Sequence, residues 1–335
     1  MNQSLSSATD NTATNTSAKF RYQWSFIPAL EAISFPCVVL LNGGILALFI
    51  INKRFNIPFN IYLSSVLVSN IFFAVLDNPL DILNFISPYW WLGDPLCSLY
   101  LYALNIPSGI VMYSHVLITI NRIWAVTFPH AYRRHHSVQI AVCMVAAVWM
   151  YVHIVYLPGV VMDAVWYRLP IETSGCLLNI DKMAAWNTTA QFMTFALPNV
   201  VIIGAYPYLL YMRREYRRVK ILNRALSLRS SGHRVTSSTG QRAKLTRPGE
   251  SGNNSFTVVT VLTLSIILCW TPLVVFYTVW CFVDLSSYTV TLEFCQGVFV
   301  LQPALDPVFF AGIMPGIRSD IMAFLRKFQL LFCTC

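Results

Sequence analysis

Charged side chains are scarce in this chain: Asp, Glu, Lys and Arg make up 11% of its 335 residues, against roughly 25% in an average soluble domain. That shortage excludes a disordered chain and an ordinary soluble enzyme. Glycine (14) and proline (17) are too few for a collagen-like or low-complexity chain. No metal-ligand spacing, phosphate-binding glycine loop or nucleophile elbow occurs, so no cofactor is implied. Residues 1–17 are Ser/Thr/Asn-rich and lack both the basic start and the apolar core of a cleaved signal, which leaves the first apolar helix as the expected targeting element.

What is present is apolar: 56% of residues are hydrophobic and the mean hydropathy is +0.58, values that require lipid to cover much of the surface. Stretches free of Asp, Glu, Lys and Arg run over 32–52, 55–76, 95–121, 137–162, 183–212 and 251–283, each long enough for a spanning helix. A seventh is expected within 285–317, although Glu293 and Asp306 bracket only residues 294–305 there. The expected fold is therefore an all-α membrane protein, a seven-transmembrane helix bundle over 27–312. A tail precedes it at 1–26, and 313–335 forms a short amphipathic membrane-surface helix with its cytoplasmic end. Ile317, Ile321, Phe324, Leu325, Phe328, Leu331 and Phe332 make the apolar stripe of that helix, which lies on membrane lipids.

Basic residues orient the bundle. With the N-terminus outside, all but four of the 23 Lys and Arg fall on inner loops, the exceptions being Lys19, Arg21, Arg168 and Lys182. The same bias explains the net charge of +9 without nucleic acid as a partner. This places the chain in the plasma membrane as a multi-pass protein. Outer sequons at Asn2, Asn15 and Asn187 are expected glycosylation acceptors, and Cys333 and Cys335 follow the surface helix where palmitate could attach. The third inner loop, 213–254, is Ser/Arg/Gly/Thr-rich without apolar period and is expected to be largely disordered past Arg218. Cys97 and Cys176 both face the oxidising side, so a disulfide would tie the second outer loop to the bundle; two free thiols are the alternative. Cys281 and Cys295 flank the third outer loop and could also pair. His130, His135 and His136 read as loop residues, and His115 and His153 as buried hydrogen-bond donors.

Arg122 follows Cys97 by 25 residues in Asn121-Arg122-Ile123. With Asn42, Trp149, Pro198, Tyr206, Cys269-Trp270-Thr271-Pro272 and Asp306-Pro307-Val308-Phe309-Phe310, each in its own span, the chain resembles the rhodopsin-like (class A) family of G-protein-coupled receptors over roughly residues 27–332. The resemblance implies that Arg122 contacts a heterotrimeric G protein or neighbouring inner helix ends, that Trp270 above the Pro272 kink registers ligand, that Tyr206 approaches Arg122 on activation and that Pro198 distorts its helix. A proline removes a backbone hydrogen bond and gives helix six a place to bend.

Departures from the family pattern carry their own expectations. Asn121 stands where an Asp is usual and Gly252 offers no acid, which implies elevated basal signalling unless packing alone holds the inactive state. Asn70 and Asp306 stand as though the usual Asp and Asn had exchanged, so Asn70 is expected to hydrogen-bond Asp306. Val111 replaces the hydroxyl of the family's sodium site, and Phe310 replaces a Tyr.

For the ligand, Leu104 occupies the position where amine receptors of this family carry Asp, and helix seven has no Lys for a retinal Schiff base. Glu31, Asp77, Asp81 and Glu293 gather near the outer helix ends. They form either a cation site or a set of acids satisfied by Tyr and Asn neighbours. Trp90, Trp91, Tyr102, Trp166, Trp186, Tyr277 and Trp280 could line an outer vestibule, and Gln296 joins the expected pocket. A short cationic peptide is the preferred ligand. A small amine held by the acidic cluster, or a non-signalling scaffold or transporter, are the alternatives; paired half-helices of a transporter are not visible. Serines and threonine of the third inner loop, Ser227 to Thr239, would serve kinase control and arrestin contact.

Overall fold

The computed structural model describes residues 25–87, 89–231, 257, 260–285 and 287–333. Every regular element among them is a helix. Seven are long and apolar enough to cross a membrane: α1 (Phe26–Ile51), α2 (Pro58–Ile86), α3 (Gly93–Thr127), α4 (Val138–Tyr167), α5 (Ala184–Met212), α6 (Thr260–Trp280) and α7 (Thr289–Ile313). An eighth, α8 (Pro315–Cys333), follows α7 directly. Helices satisfy their own backbone polar groups, which hydrocarbon demands. α3 is the strut that is buried along most of its length, and α4 leaves most of its surface outward. Pro58 begins α2, where its missing N–H costs nothing because the first amides of a helix have no intrahelical acceptor, and the Ser137 hydroxyl accepts from the Ile140 N–H to cap α4.

Three spanning helices carry one widened, π-type turn just before a proline: Phe73–Asp77 ahead of Pro79, Phe192–Ala196 ahead of Pro198 and Ile266–Trp270 ahead of Pro272. A proline ring crowds the carbonyl four residues back and supplies no N–H to it, so the preceding turn opens. These are the places where α2, α5 and α6 depart from straight rods. Gly159 lets α4 meet α5 closely, since a Cβ there would collide with the Trp186 ring.

The main core joins all seven spanning helices, with Tyr62, Leu63, Val66, Ile110, Met112 and Ile266 fully enclosed. A smaller cluster of Trp90, Tyr100 and Leu101 packs around a Cys97–Cys176 disulfide. Cys281 and Cys295 are free thiols, so the second pairing does not form.

Two boundaries differ from the sequence expectation. α2 does not stop at residue 76 but runs through Asp77 and Asp81 to Ile86, burying both acids. The helix of α5 continues to Ser231, so the first part of the 213–254 loop is helical where disorder was expected. Asn2, Asn15, Ser237, Ser238, Thr239, Gly252 and Cys335 lie outside the described residues.

Candidate functional site

The site is built at three levels along the bundle. At the disulfide end, α1 contributes Glu31 and α2 contributes Asp77 and Asp81, all three buried. Glu31 lies beside Asp81, and the Tyr100 hydroxyl of α3 donates to Asp81 Oδ1 at 2.5 Å. Among the described residues none hydrogen-bonds either oxygen of Asp77. Among the described residues no ion pair joins these acids to a Lys or Arg. Tyr277 of α6 faces Asp81 and Gln296 of α7 and stacks on Trp280 at 6.0 Å. The cluster therefore has walls from α1, α2, α3, α6 and α7.

Glu293 does not belong to it. It is exposed in the first turns of α7, near the helix end, although it shares a face with Gln296 and Val300. Trp90 is also not a vestibule wall: it is buried, stacked on Tyr100, and donates to the Gly93 carbonyl at 2.9 Å. Trp186 packs at the α4–α5 contact and donates to the Val155 carbonyl at 3.2 Å, whereas Trp91 and Trp166 are exposed. Leu104 is half-buried against the disulfide cluster. Asn187 lies in the first turns of α5, partly buried.

At mid-bundle, Asn42 Nδ2 donates to the Pro303 carbonyl at 2.9 Å and to the Val38 carbonyl at 2.8 Å. The Pro303 carbonyl needs an outside donor because Pro307, four residues on, has no N–H. Asn70 Nδ2 donates to Asn42 Oδ1 at 3.1 Å and to Asp306 Oδ2 at 3.3 Å, which ties α1, α2 and α7 together. Trp270 is buried beside Phe299 at 4.8 Å and Phe195 at 6.2 Å, and it sits on the last residue of the widened turn below Pro272. Phe310 is packed in the core, so its ring serves packing where a hydroxyl is usual.

At the opposite end, Arg122 of α3 lies with its guanidinium carbon 3.6 Å from the centre of the Phe59 ring. Its neighbour Asn121 is buried and doubly engaged: Nδ2 meets His136 Nε2 at 2.8 Å, and the Tyr132 hydroxyl donates to Oδ1 at 3.2 Å. Tyr62 of α2 reaches the same His136 nitrogen at 3.1 Å, and the His136 ring stacks on Tyr132 with centres 4.5 Å apart. His136 is thus not a simple loop residue. It joins α2, α3 and the short helix Pro129–His135. Sequence reasoning missed it because a histidine after a basic loop carries no periodic signal. Tyr206 is half-buried on α5, and the hydroxyl engaged there is that of Tyr208, 3.1 Å from Thr127. Outside the spans, Arg54 makes a two-point contact with Asp320 of α8, both at 2.8 Å, which raises the guanidinium further above its ordinary value and anchors α8.

The His136 environment has a measurable consequence. Burial, and then the charge of Arg122, push its imidazole below the ordinary 6.5. The unfolded chain therefore takes up a proton near 6.5 before the folded chain does, so stability is intact above that pH and falls as pH drops below it. His136→Phe keeps the ring stack and removes the titration. Thermal midpoints of purified protein from pH 8 to 5.5 should fall more steeply below pH 6.5 for the unaltered chain than for the variant; parallel profiles would contradict this role.

Residues 41–310 match the family model described as 7 transmembrane receptor (rhodopsin family). Among curated relatives, the D(5)-like dopamine receptor of Takifugu rubripes is 23% identical over 235 residues, 68% of this chain and 50% of that receptor. The alpha-2Da adrenergic receptor of Danio rerio is 24% identical over 52% of this chain and 41% of its own length. The 5-hydroxytryptamine receptor 1B of Vulpes vulpes is 22% identical over 69% of this chain and 61% of its own. The matches thus span about half the length of these relatives. The family consists of receptors, not enzymes, and its seven spans make the chain a multi-pass plasma-membrane protein. A match over most of the chain, with the seven helices and their engaged residues in order, means that this protein belongs to the rhodopsin family of seven-transmembrane receptors.

Proposed function

We propose that this receptor takes a short cationic peptide at the disulfide end and activates a heterotrimeric G protein at the Arg122 end, through bending of α6 at Pro272. One observation carries the ligand class: Glu31, Asp77 and Asp81 are brought together by α1 and α2, and among the described residues no basic side chain pairs with them. Such a group within a bundle favours a cationic partner, because each uncompensated charge there costs about 2.5 to 3.5 kcal/mol or more. Tyr277 and Trp280 add aromatic faces suited to cations. The orientation follows from the Lys and Arg bias and puts the N-terminus outside. On that orientation α8 rests on the inner leaflet and the loop after α5 is the surface open to arrestin.

A second reading, a small amine, is favoured by the names of the relatives, which are dopamine, adrenergic and 5-hydroxytryptamine receptors. Leu104 would then require the amine to pair with Asp81 or Asp77 in place of an acid on α3.

Cells expressing the full chain with a promiscuous G-protein readout, challenged with panels of basic peptides and of amines, separate the two. A peptide agonist whose potency falls by about tenfold or more in Asp81→Asn, at unchanged surface expression, supports the proposal. Agonism confined to amines selects the second reading, and agonists indifferent to all three acids remove the cationic site.

A further inference from the structure

Asp306 lies fully buried in α7, one turn from the Pro303 carbonyl that Asn42 engages. Its Oδ2 meets two nitrogens, Asn70 Nδ2 at 3.3 Å and His115 Nε2 at 3.6 Å. His115, on α3, is itself buried, and the same Nε2 stands 3.5 Å from Gln302 Nε2. On its α5 and α6 side the imidazole is bordered by Ile202, Leu262 and Ile266 with the hydroxyl residues Thr119 and Thr263, none of them charged. From α6 the titratable neighbour of Asp306 is the Cys269 thiol. His115 is the one basic side chain that an ion pair among the described residues brings to this carboxylate.

The family likeness implies a sodium ion beside such a carboxylate, and the groups present do not fit one. A hard cation needs inward-facing oxygens. Here Asn70 presents its amide N–H, the Asn42 oxygen is already taken by that same amide, and Val111, one turn before His115, has no oxygen to give. Nitrogens of Asn70 and His115 occupy the approach to Oδ2 instead.

We propose that His115 is the resident counter-ion of Asp306, an intramembrane pair linking α3 to α7 that replaces a metal cation. His115 Nε2 and Asn70 Nδ2 hold the Oδ2 side of the carboxylate, which leaves Asp306 Oδ1 and Gln302 Oε1, both without a hydrogen-bond partner among the described residues, as the oxygens open to a sodium ion; two are too few for a hard cation. Removing one partner leaves the other buried and uncompensated, whereas removing both leaves a merely less polar core.

The test uses the purified full chain in detergent at neutral pH, with thermal unfolding followed by tryptophan fluorescence. Midpoints in sodium chloride and in choline chloride of equal ionic strength should coincide. His115→Leu should lower the midpoint by about 5 °C or more, and adding Asp306→Asn to it should restore most of that loss. A sodium-specific rise in the unaltered protein overturns the proposal, as do penalties that simply add in the double variant. Should His115→Leu alone fail to fold, a double variant that folds supports the pairing and one that also fails overturns it.

Discussion

Arg122→Ala is expected to remove agonist-driven G-protein activation while leaving most of the protein at the cell surface. The guanidinium sits at the last turns of α3, 3.6 Å over the Phe59 ring of α2. A cation over a phenyl face contributes roughly 0.5 to 2 kcal/mol, too little to unfold a bundle whose core runs through Tyr62, Ile110 and Ile266. Function stands to lose more. A guanidinium that must reach a partner's carbonyls or acids supplies charge-assisted hydrogen bonds, and truncating such a group costs about 2 to 5 kcal/mol, or more than tenfold in coupling. Second-messenger output and surface labelling, measured in the same cells, give the outcome. Retained signalling in the alanine variant would mean that this end of α3 does not carry the contact.

The neighbouring Asn121 shows why basal activity cannot be read from one position. A missing carboxylate beside Arg122 suggests a loosened inactive state. The structure instead engages Asn121 with His136 and Tyr132, and brings Tyr62 to the same imidazole. Hydrogen bonds and ring stacking engage this end, where the sequence offers no acid. That arrangement agrees with the packing alternative and predicts modest basal output.

Much of the architecture was legible because membrane spans depend on length and apolarity, which the chain displays directly. The pairing of Asn70 with Asp306 was legible for a related reason: an intramembrane carboxylate needs a partner, and the complementary residue stood in the matching helix. The ends of α2 and α5 were not. A search for charge-free stretches stops at Asp77, yet the helix continues because burial among Tyr100, Glu31 and the α3 face accommodates the acids. Beyond Met212 the chain has no apolar period, but Arg, Glu and Leu are good helix formers, and the Glu215–Arg218 pair lies along one face. His136, Phe59 and the Arg54–Asp320 clasp depend on which loops meet which helix ends, information that no local pattern holds.

Cys97→Ser, or Cys176→Ser, is expected to cost about 4 kcal/mol of stability, from the chain entropy released when a loop of 79 residues opens. Both sulfurs are fully buried among Trp90, Tyr100 and Leu101, so an unpaired serine hydroxyl adds a desolvation penalty to the entropic one. The backbone around Cys176 is also held by Asn84 of α2, whose Oδ1 accepts from the Cys176 N–H at 3.1 Å and whose Nδ2 donates to its carbonyl at 3.4 Å. Those two bonds are worth about 1 kcal/mol each and cannot replace the covalent tie. Because α2 also bears Asp77 and Asp81, release of the segment should open the roof of the acidic cluster as well as destabilise the fold. The measurable result is a fall of about 8 °C or more in the thermal midpoint, with surface expression and agonist potency reduced together. Asn84→Ala should give a milder version, a loss of potency with most of the stability retained. Equal stability of the serine variants and the unaltered chain would show that the second loop docks without the disulfide.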